Sequence, residues 1–218
     1  MEKLFDDRTD AGRQLAQALG AYAGRSDLLV LALPRGGVPV AYEVARALNA
    51  PLDLLIVRKL GTPGNPELAM GAIASGGASV LNPDVVSIYR ISDETIERVA
   101  ANERQELARR ERLYRGDRPY PEMENRCIIV VDDGIATGAT MRAGLAALRR
   151  LNPACIVVAV PLAPSDTVER LRSEVDEVVC LTTPEPFFAV GQGYRDFSQT
   201  TDDDVREILA QSWGESPD

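Results

Sequence analysis

The residues best suited to chemistry follow a short run of β-branched side chains near the middle of the chain. Ile128–Val131 lead directly into Asp132 and Asp133, and a turn of small residues then ends at Thr140. Such a run predicts a buried strand, and open α/β sheets bind ligands at the carboxyl ends of their strands. A helix that begins in this turn would offer unpaired N–H groups to a phosphate. The residues predicted to bind a substrate here are Gly134, Ala136, Thr137, Gly138, Ala139 and Thr140.

The two aspartates are expected to face another part of the ligand, because carboxylates repel phosphate. Ionised carboxylates only accept hydrogen bonds, which suits sugar hydroxyls or a hard cation such as Mg²⁺. Asp132 and Asp133 are therefore candidate catalytic residues and candidates for indirect contact with a metal ion. Phosphate at one end and a diol at the other indicate a ribose 5-phosphate. The alternative is that the pair only caps a turn, but the Thr-Gly-Ala-Thr spacing favours the ligand site.

Two basic segments lie at other predicted strand ends. Arg35, Gly36 and Gly37 follow Pro34 at a strand–helix junction, where bare glycine N–H groups and one guanidinium can cradle anionic oxygens. Arg58-Lys59 ends the next predicted strand, where the pair can meet an anionic leaving group. Each segment also has a plainer interpretation, since Pro-Arg-Gly-Gly can be only a turn and Arg-Lys only a solvated pair.

Composition excludes several kinds of site and partner. Among 218 residues there is no histidine, so an imidazole base or ligand is ruled out. A net charge of −9 argues against a nucleic-acid partner. The apolar run Leu28–Leu33 is too short to span a membrane, so we expect a cytoplasmic protein without a membrane partner. Cys127, Cys155 and Cys180 are far apart and are predicted to be unpaired, buried side chains.

The elements that must position these residues alternate between helix and strand, which predicts an α/β fold with a mostly parallel sheet. We expect one domain over residues 1–218, with its core at about 24–182 and a long loop at about 60–78 that holds a short hairpin at Leu68–Ile73. The predicted strands are Leu28–Ala32, Leu52–Val57, Cys127–Val131, Cys155–Val160 and Glu177–Leu181. The predicted helices are Asp6–Tyr22, Val38–Leu48, Ser92–Arg115, Thr140–Leu151, Ser165–Ser173 and Asp202–Gln211.

The motif at residues 128–140 resembles the signature of type I phosphoribosyltransferases, which bind 5-phosphoribosyl 1-pyrophosphate. The segments at 34–37, 58–76 and 184–197 also follow the order of that family's pyrophosphate loop, flexible loop and hood. A bacterial subgroup of this family shares the Leu33–Gly37 loop and the Arg58–Glu67 stretch. It also shares an N-terminal pattern, carried here by Phe5, Asp7, Arg8, Ala11 and Gly12.

This resemblance implies a central parallel sheet flanked by helices, a flexible lid at about 60–78 and a small C-terminal hood at about 183–200. It also implies Mg²⁺-dependent transfer of a phosphoribosyl group to a nitrogenous base. Asp132, Asp133, Arg58 and Lys59 would then be catalytic, and Phe188 would stack on the base. The Pro34–Arg35 peptide bond is by resemblance a candidate for the cis form. Separately from the resemblance, the polar helix Ser92–Arg115 is a candidate contact surface for a homodimer.

The acceptor base and the alternative of a sensor are open at this stage. Enzymes for 6-oxopurines have a third acidic residue where this chain has Ala136, and a lysine in the region that reads Val160–Ala163 here. A regulator that only binds phosphoribosyl pyrophosphate or a nucleotide would use the same loops. The presence of both basic segments favours an enzyme over such a regulator.

Overall fold

A computed structural model describes residues 4–214, with Glu67 described through its backbone alone. Its strands are β1 (Leu28–Ala32), β2 (Leu52–Leu54), β3 (Val57–Thr62), β4 (Asn65–Ala74), β5 (Ala78–Leu81), β6 (Cys127–Val131), β7 (Cys155–Leu162) and β8 (Glu177–Thr182). Its α-helices are α1 (Arg8–Ala18), α2 (Gly37–Leu48), α3 (Pro83–Ile88), α4 (Asp93–Arg115), α5 (Ala139–Arg149), α6 (Ser165–Arg172) and α7 (Asp202–Trp213). None of the helices in residues 4–214 has both the length and the apolar character that a membrane crossing requires.

The central sheet has five parallel strands in the order β2-β1-β6-β7-β8. Every residue of β1 and β6 is buried, as expected for inner strands of a sheet that is covered on both faces. Ala32 pairs with Val131, so β1 and β6 end at the same level. The predicted parallel sheet flanked by helices is confirmed, and the loops after these two strands must emerge side by side.

Alternate residues of the central strands serve two separate apolar clusters. Ile129 and Val131 of β6 belong to a cluster shared with α1, α2 and α7, whereas Ile128 and Val130 belong to one shared with α5 and α6. This is the period of two expected of a strand between two helical layers. Helices on both faces therefore hold the carboxyl ends of the strands in fixed positions.

The prediction of a long loop at residues 60–78 is wrong. Most of this segment belongs to a three-stranded antiparallel sheet in the order β3-β4-β5. Leu60, Met70 and Ile73 are buried in the core, which explains why the segment is ordered into strands. The glycines that suggest a loop instead permit close strand contact, since a Cβ on Gly71 would overlap the carbonyl oxygen of Val80. Within the segment, a two-residue turn joins β3 to β4 and a short 3-10 turn at Ser75–Gly77 joins β4 to β5.

Two further predictions need correction. The strand predicted at Leu52–Val57 ends at Leu54, so Arg58 and Lys59 lie inside β3 of the second sheet. Cys127 and Cys155 are not unpaired, because they form a disulfide between the neighbouring strands β6 and β7. Cys127 and Cys155 are the first residues of these strands and occupy paired positions. Because they are 28 residues apart in the sequence, their proximity cannot be inferred before the strand pairing is known.

A buried ion pair joins α4 to the edge of the central sheet. Nε and Nη2 of Arg115 lie 2.6 and 2.9 Å from the two carboxylate oxygens of Asp53. Both side chains are at most 6% exposed. The remaining donor capacity of Arg115 goes to the carbonyl oxygens of Arg118 and Pro119. The last turn of the long polar helix is thereby anchored to β2.

Candidate functional site

The loops after β1 and β6 touch each other at the carboxyl edge of the sheet. The N–H of Leu33 donates to the carbonyl oxygen of Val131 at 2.9 Å. A Cβ built on Gly36 would overlap Oδ2 of Asp133 and lie 2.7 Å from its Cγ. A side chain at position 36 would therefore force the Asp133 carboxylate to shift from its present place. The structure thus brings together the two segments for which the sequence predicted anion and sugar binding.

Asp132 and Asp133 form a tight acidic pair at the end of β6. The backbone N–H of Asp133 donates to Oδ1 of Asp132 at 2.9 Å. Burial raises the pKa of Asp132 well above the usual carboxyl range, and repulsion from the Asp133 carboxylate adds to this effect. Burial also raises the pKa of Asp133, although the Arg8 guanidinium acts in the opposite direction. Such a pair gains from any donor or cation placed between the two carboxyl groups.

Arg8, the first residue of α1, is a site residue that sequence reasoning missed. Its Nε lies 2.8 Å from Oδ2 of Asp133, and the two side chains are only 12% and 13% exposed. The two residues are 125 positions apart, so nothing in local sequence indicates the contact. The only signal was the membership of Arg8 in the N-terminal pattern shared with the bacterial subgroup.

The turn from Gly134 to Gly138 carries the chain from the acidic pair into α5. Gly138 has φ of +74°, and its carbonyl oxygen accepts the N–H of Arg142 at 2.8 Å, closing the first helical turn. The hydroxyl of Thr167 donates to the carbonyl of Ala136 at 3.0 Å and holds the turn from the α6 side. The helix start exposes three of the predicted binding residues, which are Thr137, Ala139 and Thr140. The N–H of Ala139 donates to the hydroxyl of Thr137 at 3.5 Å. The N–H groups of a helix start beside two hydroxyls make a suitable anion site.

Arg35 precedes Gly36 in the chain, is exposed and belongs to a small polar network. Its Nη1 lies 3.4 Å from Oδ1 of Asp202, which is the first residue of α7. The same carboxylate accepts a hydrogen bond of 2.6 Å from the phenol of Tyr114. The Pro34–Arg35 peptide bond is cis, as the resemblance suggested.

Arg58 and Lys59 are placed differently from the prediction. Arg58 forms an ion pair with Glu103 of α4 at 2.6 Å, and Lys59 is exposed on β3. Among the described residues, Arg58 is paired with α4 and not with the loops after β1 and β6. A contact of either cation with a ligand at the acidic pair therefore stays a prediction.

The segment predicted as a hood lies beside the acidic pair and is joined to the N-terminal segment. Phe5 and Tyr194 form a parallel backbone bridge, and the phenol of Tyr194 donates to the carbonyl oxygen of Asp133. Phe188 is 79% exposed. The amide oxygen of Gln192 accepts the N–H of Phe188 at 2.9 Å, which shapes the turn that displays this ring. An exposed, held aromatic ring is suited to stacking on a planar base.

Known proteins share the sequence and the fold of this chain. Residues 3–196 match the family described as "Phosphoribosyl transferase domain". The chain belongs to this family. Its phosphoribosyl transferase domain is similar to two Mycobacterium tuberculosis proteins, each named "Putative phosphoribosyl transferase", with 53% identity over 207 residues. The match covers 95% of this chain but only 46% of each relative, so the chain spans about half the length of the curated relatives it matches.

A solved structure extends the comparison to three dimensions. The crystal structure of the protein TT1426 from Thermus thermophilus has a TM-score of 0.85 and 47% sequence identity with this chain. The similarity covers 95% of this chain and 98% of that one. The fold of this phosphoribosyl transferase domain is therefore shared along nearly the whole length of a relative.

Proposed function

We propose that this protein transfers the phosphoribosyl group of 5-phosphoribosyl 1-pyrophosphate to a nitrogenous base and releases pyrophosphate. The observation that carries the proposal is the contact of the two loops, in which Gly36 leaves room only for the carboxylate of Asp133. The proposed anion donors and the carboxylates proposed to bind the sugar then lie together at the carboxyl edge of the sheet, where the ligand cleft would be. Purines are the first acceptors to test.

The proposed binding mode follows from the donors and acceptors along the cleft. Exposed hydroxyls and helix N–H groups at Thr137–Thr140 hold the 5-phosphate, and Asp132 and Asp133 accept hydrogen bonds from the ribose diol. Arg35 and the N–H groups of Gly36 and Gly37 hold the pyrophosphate. The rate of transfer then depends on positioning and on charge stabilisation, since little covalent work falls to the protein.

Closure of the cleft is assigned to the turn between β3 and β4 rather than to the whole segment 60–78. Residues 63 and 64 of this turn are exposed, whereas the strands on either side contribute buried residues to the core, so closure is assigned to the exposed tip. Lys59 and Arg58 lie on β3 below this tip. They would reach the leaving pyrophosphate only if Arg58 exchanges its partner Glu103 for the ligand.

The donor set fits a magnesium ion held mainly by the substrate. In residues 4–214 no three His, Cys, Asp or Glu side chains cluster as a metal cage, whereas Asp132 and Asp133 supply adjacent hard oxygen donors. Mg²⁺ typically keeps several waters and takes only one or two carboxylates together with substrate phosphates. When bound, the ion would neutralise the charge that develops on the leaving pyrophosphate.

The first experiment measures pyrophosphate release from phosphoribosyl pyrophosphate and Mg²⁺ across a panel of purine and pyrimidine bases. Release that depends on one base would establish the transferase and name its acceptor. Asp133→Asn should slow release at least roughly a hundredfold, as expected for loss of a group that positions the reacting sugar. Asp166→Asn, at a carboxyl group that is 70% exposed on α6, is the matched control and should leave release unchanged.

The same experiment separates the enzyme from a sensor. Tight binding of phosphoribosyl pyrophosphate without release for any base would overturn the transferase proposal and support a regulator. Absence of both binding and release would reject the site itself.

A further inference from the structure

The guanidinium of Arg8 contacts the ribose-loop candidate and the hood at the same time. Nε lies 2.8 Å from Oδ2 of Asp133, and Nη1 donates to the carbonyl oxygen of Ser198 at 2.6 Å. The guanidinium carbon lies 4.0 Å from the centre of the Phe197 ring. Arg13, further along α1, is 62% exposed, whereas Arg8 is 12% exposed. Arg8 is therefore held on three sides.

The hood reaches the same aspartate by a second route. The phenol of Tyr194 donates to the backbone carbonyl of Asp133, and the Tyr194 ring stacks on Phe197 with centroids 5.0 Å apart. Phe5 packs on Tyr194 with centroids 5.4 Å apart. Both the side chain and the backbone of Asp133 are thus tied to the hood, and Arg8 is the charged tie.

The positive charge of Arg8 has an electrostatic role beside Asp133 in addition to the packing of its side chain. Asp133 lies beside the Asp132 carboxylate, and the two repel each other. Arg8 is the cation that contacts Asp133 directly, and it shares this contact with the hood. A neutral side chain of similar length could fill the space, but it would leave two adjacent carboxylates to repel each other and to turn away from the sugar.

We propose that Arg8 is a positioning residue that couples the hood to the ribose loop. It holds one carboxylate oxygen of Asp133 and the Ser198 carbonyl together, so that the aspartate is oriented for the sugar diol only when the hood is docked. This inference rests on the proposed function for its ligand, whereas the coupling of hood and loop is a property of the protein itself. Binding of a ligand without a ribose would not depend on Arg8.

The test compares Arg8→Gln, Arg8→Lys and the control Arg13→Gln by calorimetric titration, with Mg²⁺, of phosphoribosyl pyrophosphate and, separately, of inorganic pyrophosphate. Arg8→Gln should weaken phosphoribosyl pyrophosphate binding about tenfold to a hundredfold, the size expected for losing a hydrogen-bonded charge. Its pyrophosphate binding should stay within about twofold of wild type, because that ligand lacks the diol. Arg8→Lys should recover only part of the lost affinity, since the charge beside Asp133 returns without the second contact to the hood.

A second measurement judges the coupling without any ligand. Hydrogen exchange of the amides at residues 193–198 should become faster in Arg8→Gln than in wild type, and Arg13→Gln should leave it unchanged. Arg8→Lys should not restore this protection, because one ammonium group cannot span both acceptors as a guanidinium does.

The outcomes distinguish the two proposals. Equal losses for both ligands, or additive losses in the Arg8→Gln/Asp133→Asn double variant, would overturn the positioning role. Unchanged exchange at residues 193–198 in Arg8→Gln would overturn the coupling. If wild type binds pyrophosphate but not phosphoribosyl pyrophosphate, the proposed function fails, and hydrogen exchange still decides the role of Arg8.

Discussion

The guanidinium of Arg35 is paired at 3.4 Å with the carboxylate of Asp202, although the two residues lie in distant segments of the chain. The hydrogen bond from Tyr114, followed by the one from Arg35, lowers the pKa of Asp202, so this carboxylate stays charged. Both partners of the ion pair are about two-fifths exposed, and such pairs contribute little to stability. The contact therefore matters more for the charge that a ligand meets than for the fold.

Removal of that negative charge should favour anions in the cleft. Asp202→Asn keeps an acceptor for Tyr114 but no longer competes for Arg35, so pyrophosphate affinity should rise about twofold to fivefold, the range of an exposed charge interaction. Titration of inorganic pyrophosphate measures this. Asp203→Asn, at the next residue of α7 and 83% exposed, is the control. Weaker binding in Asp202→Asn would mean that Asp202 orients Arg35 rather than competing with the ligand.

Closing the space at Gly36 should damage the site. Gly36 has φ of −59°, so Gly36→Ala has no backbone penalty, and its effect comes from the overlap of the new methyl group with Asp133. We expect a loss of about 1–3 kcal/mol in stability, as for overpacking, together with loss of phosphoribosyl pyrophosphate binding. Urea unfolding and calorimetry give the two quantities.

Gly20→Ala is the matched control for that substitution, because nothing lies within 4 Å of the added Cβ. It should leave binding unchanged and stability equal to or slightly above wild type. Wild-type binding in Gly36→Ala would show that Asp133 can move aside without loss, and the proposed contact of the two loops would then not matter for the ligand.

The buried Arg115–Asp53 pair should be sensitive to removal of one partner. Arg115→Ala leaves a carboxylate that is 6% exposed without its cation, so we expect a loss of about 3–5 kcal/mol. Arg112→Ala, on the same helix and outside this buried pair, should stay within about 0.5 kcal/mol of wild type. Urea unfolding of the three proteins checks this. A loss in Arg115→Ala as small as that of the control would contradict the assignment of α4's anchor.

The acidic pair should make the ligand-free protein less stable as the pH rises. Burial and repulsion raise the pKa of Asp132, so the folded protein holds this proton to a higher pH than the unfolded chain does. The free energy of unfolding therefore falls as the pH rises above the ordinary carboxyl value of about 4. Asp132→Asn removes the titration and should gain stability relative to wild type as the pH rises above about 4.

Urea unfolding at several pH values in the absence of Mg²⁺ measures this difference. Asp166→Asn, at an exposed carboxyl group, should follow wild type at every pH. A stability difference between Asp132→Asn and wild type that does not change with pH would contradict the prediction.

The sequence was sufficient for the parts of the site that are continuous in the chain. Ile128–Val131 are β-branched and buried, so both the strand and the position of the two aspartates at its end follow from local pattern. The contact between Gly36 and Asp133 does not follow from sequence, because it depends on β1 and β6 being neighbours in the sheet.

The rest depends on contacts that local sequence does not record. The antiparallel sheet was missed because its glycines, such as Gly71, resemble loop residues until the partner strand is known. Arg8 and Ser198 meet at Asp133 only through the packed fold. The partner of Arg58 is Glu103 on α4, which no strand-end argument could supply.

The bridge between Phe5 and Tyr194 joins two segments that are far apart in the sequence. During synthesis, Phe5 leaves the ribosome long before Tyr194 exists, and it must wait for that partner while the central sheet forms. Closing so long a loop is entropically costly, and the cost is offset only after the core is in place. The hood should therefore be the last part of the protein to fold and an early part to open, so that newly made chains acquire it after the loops that follow β1 and β6.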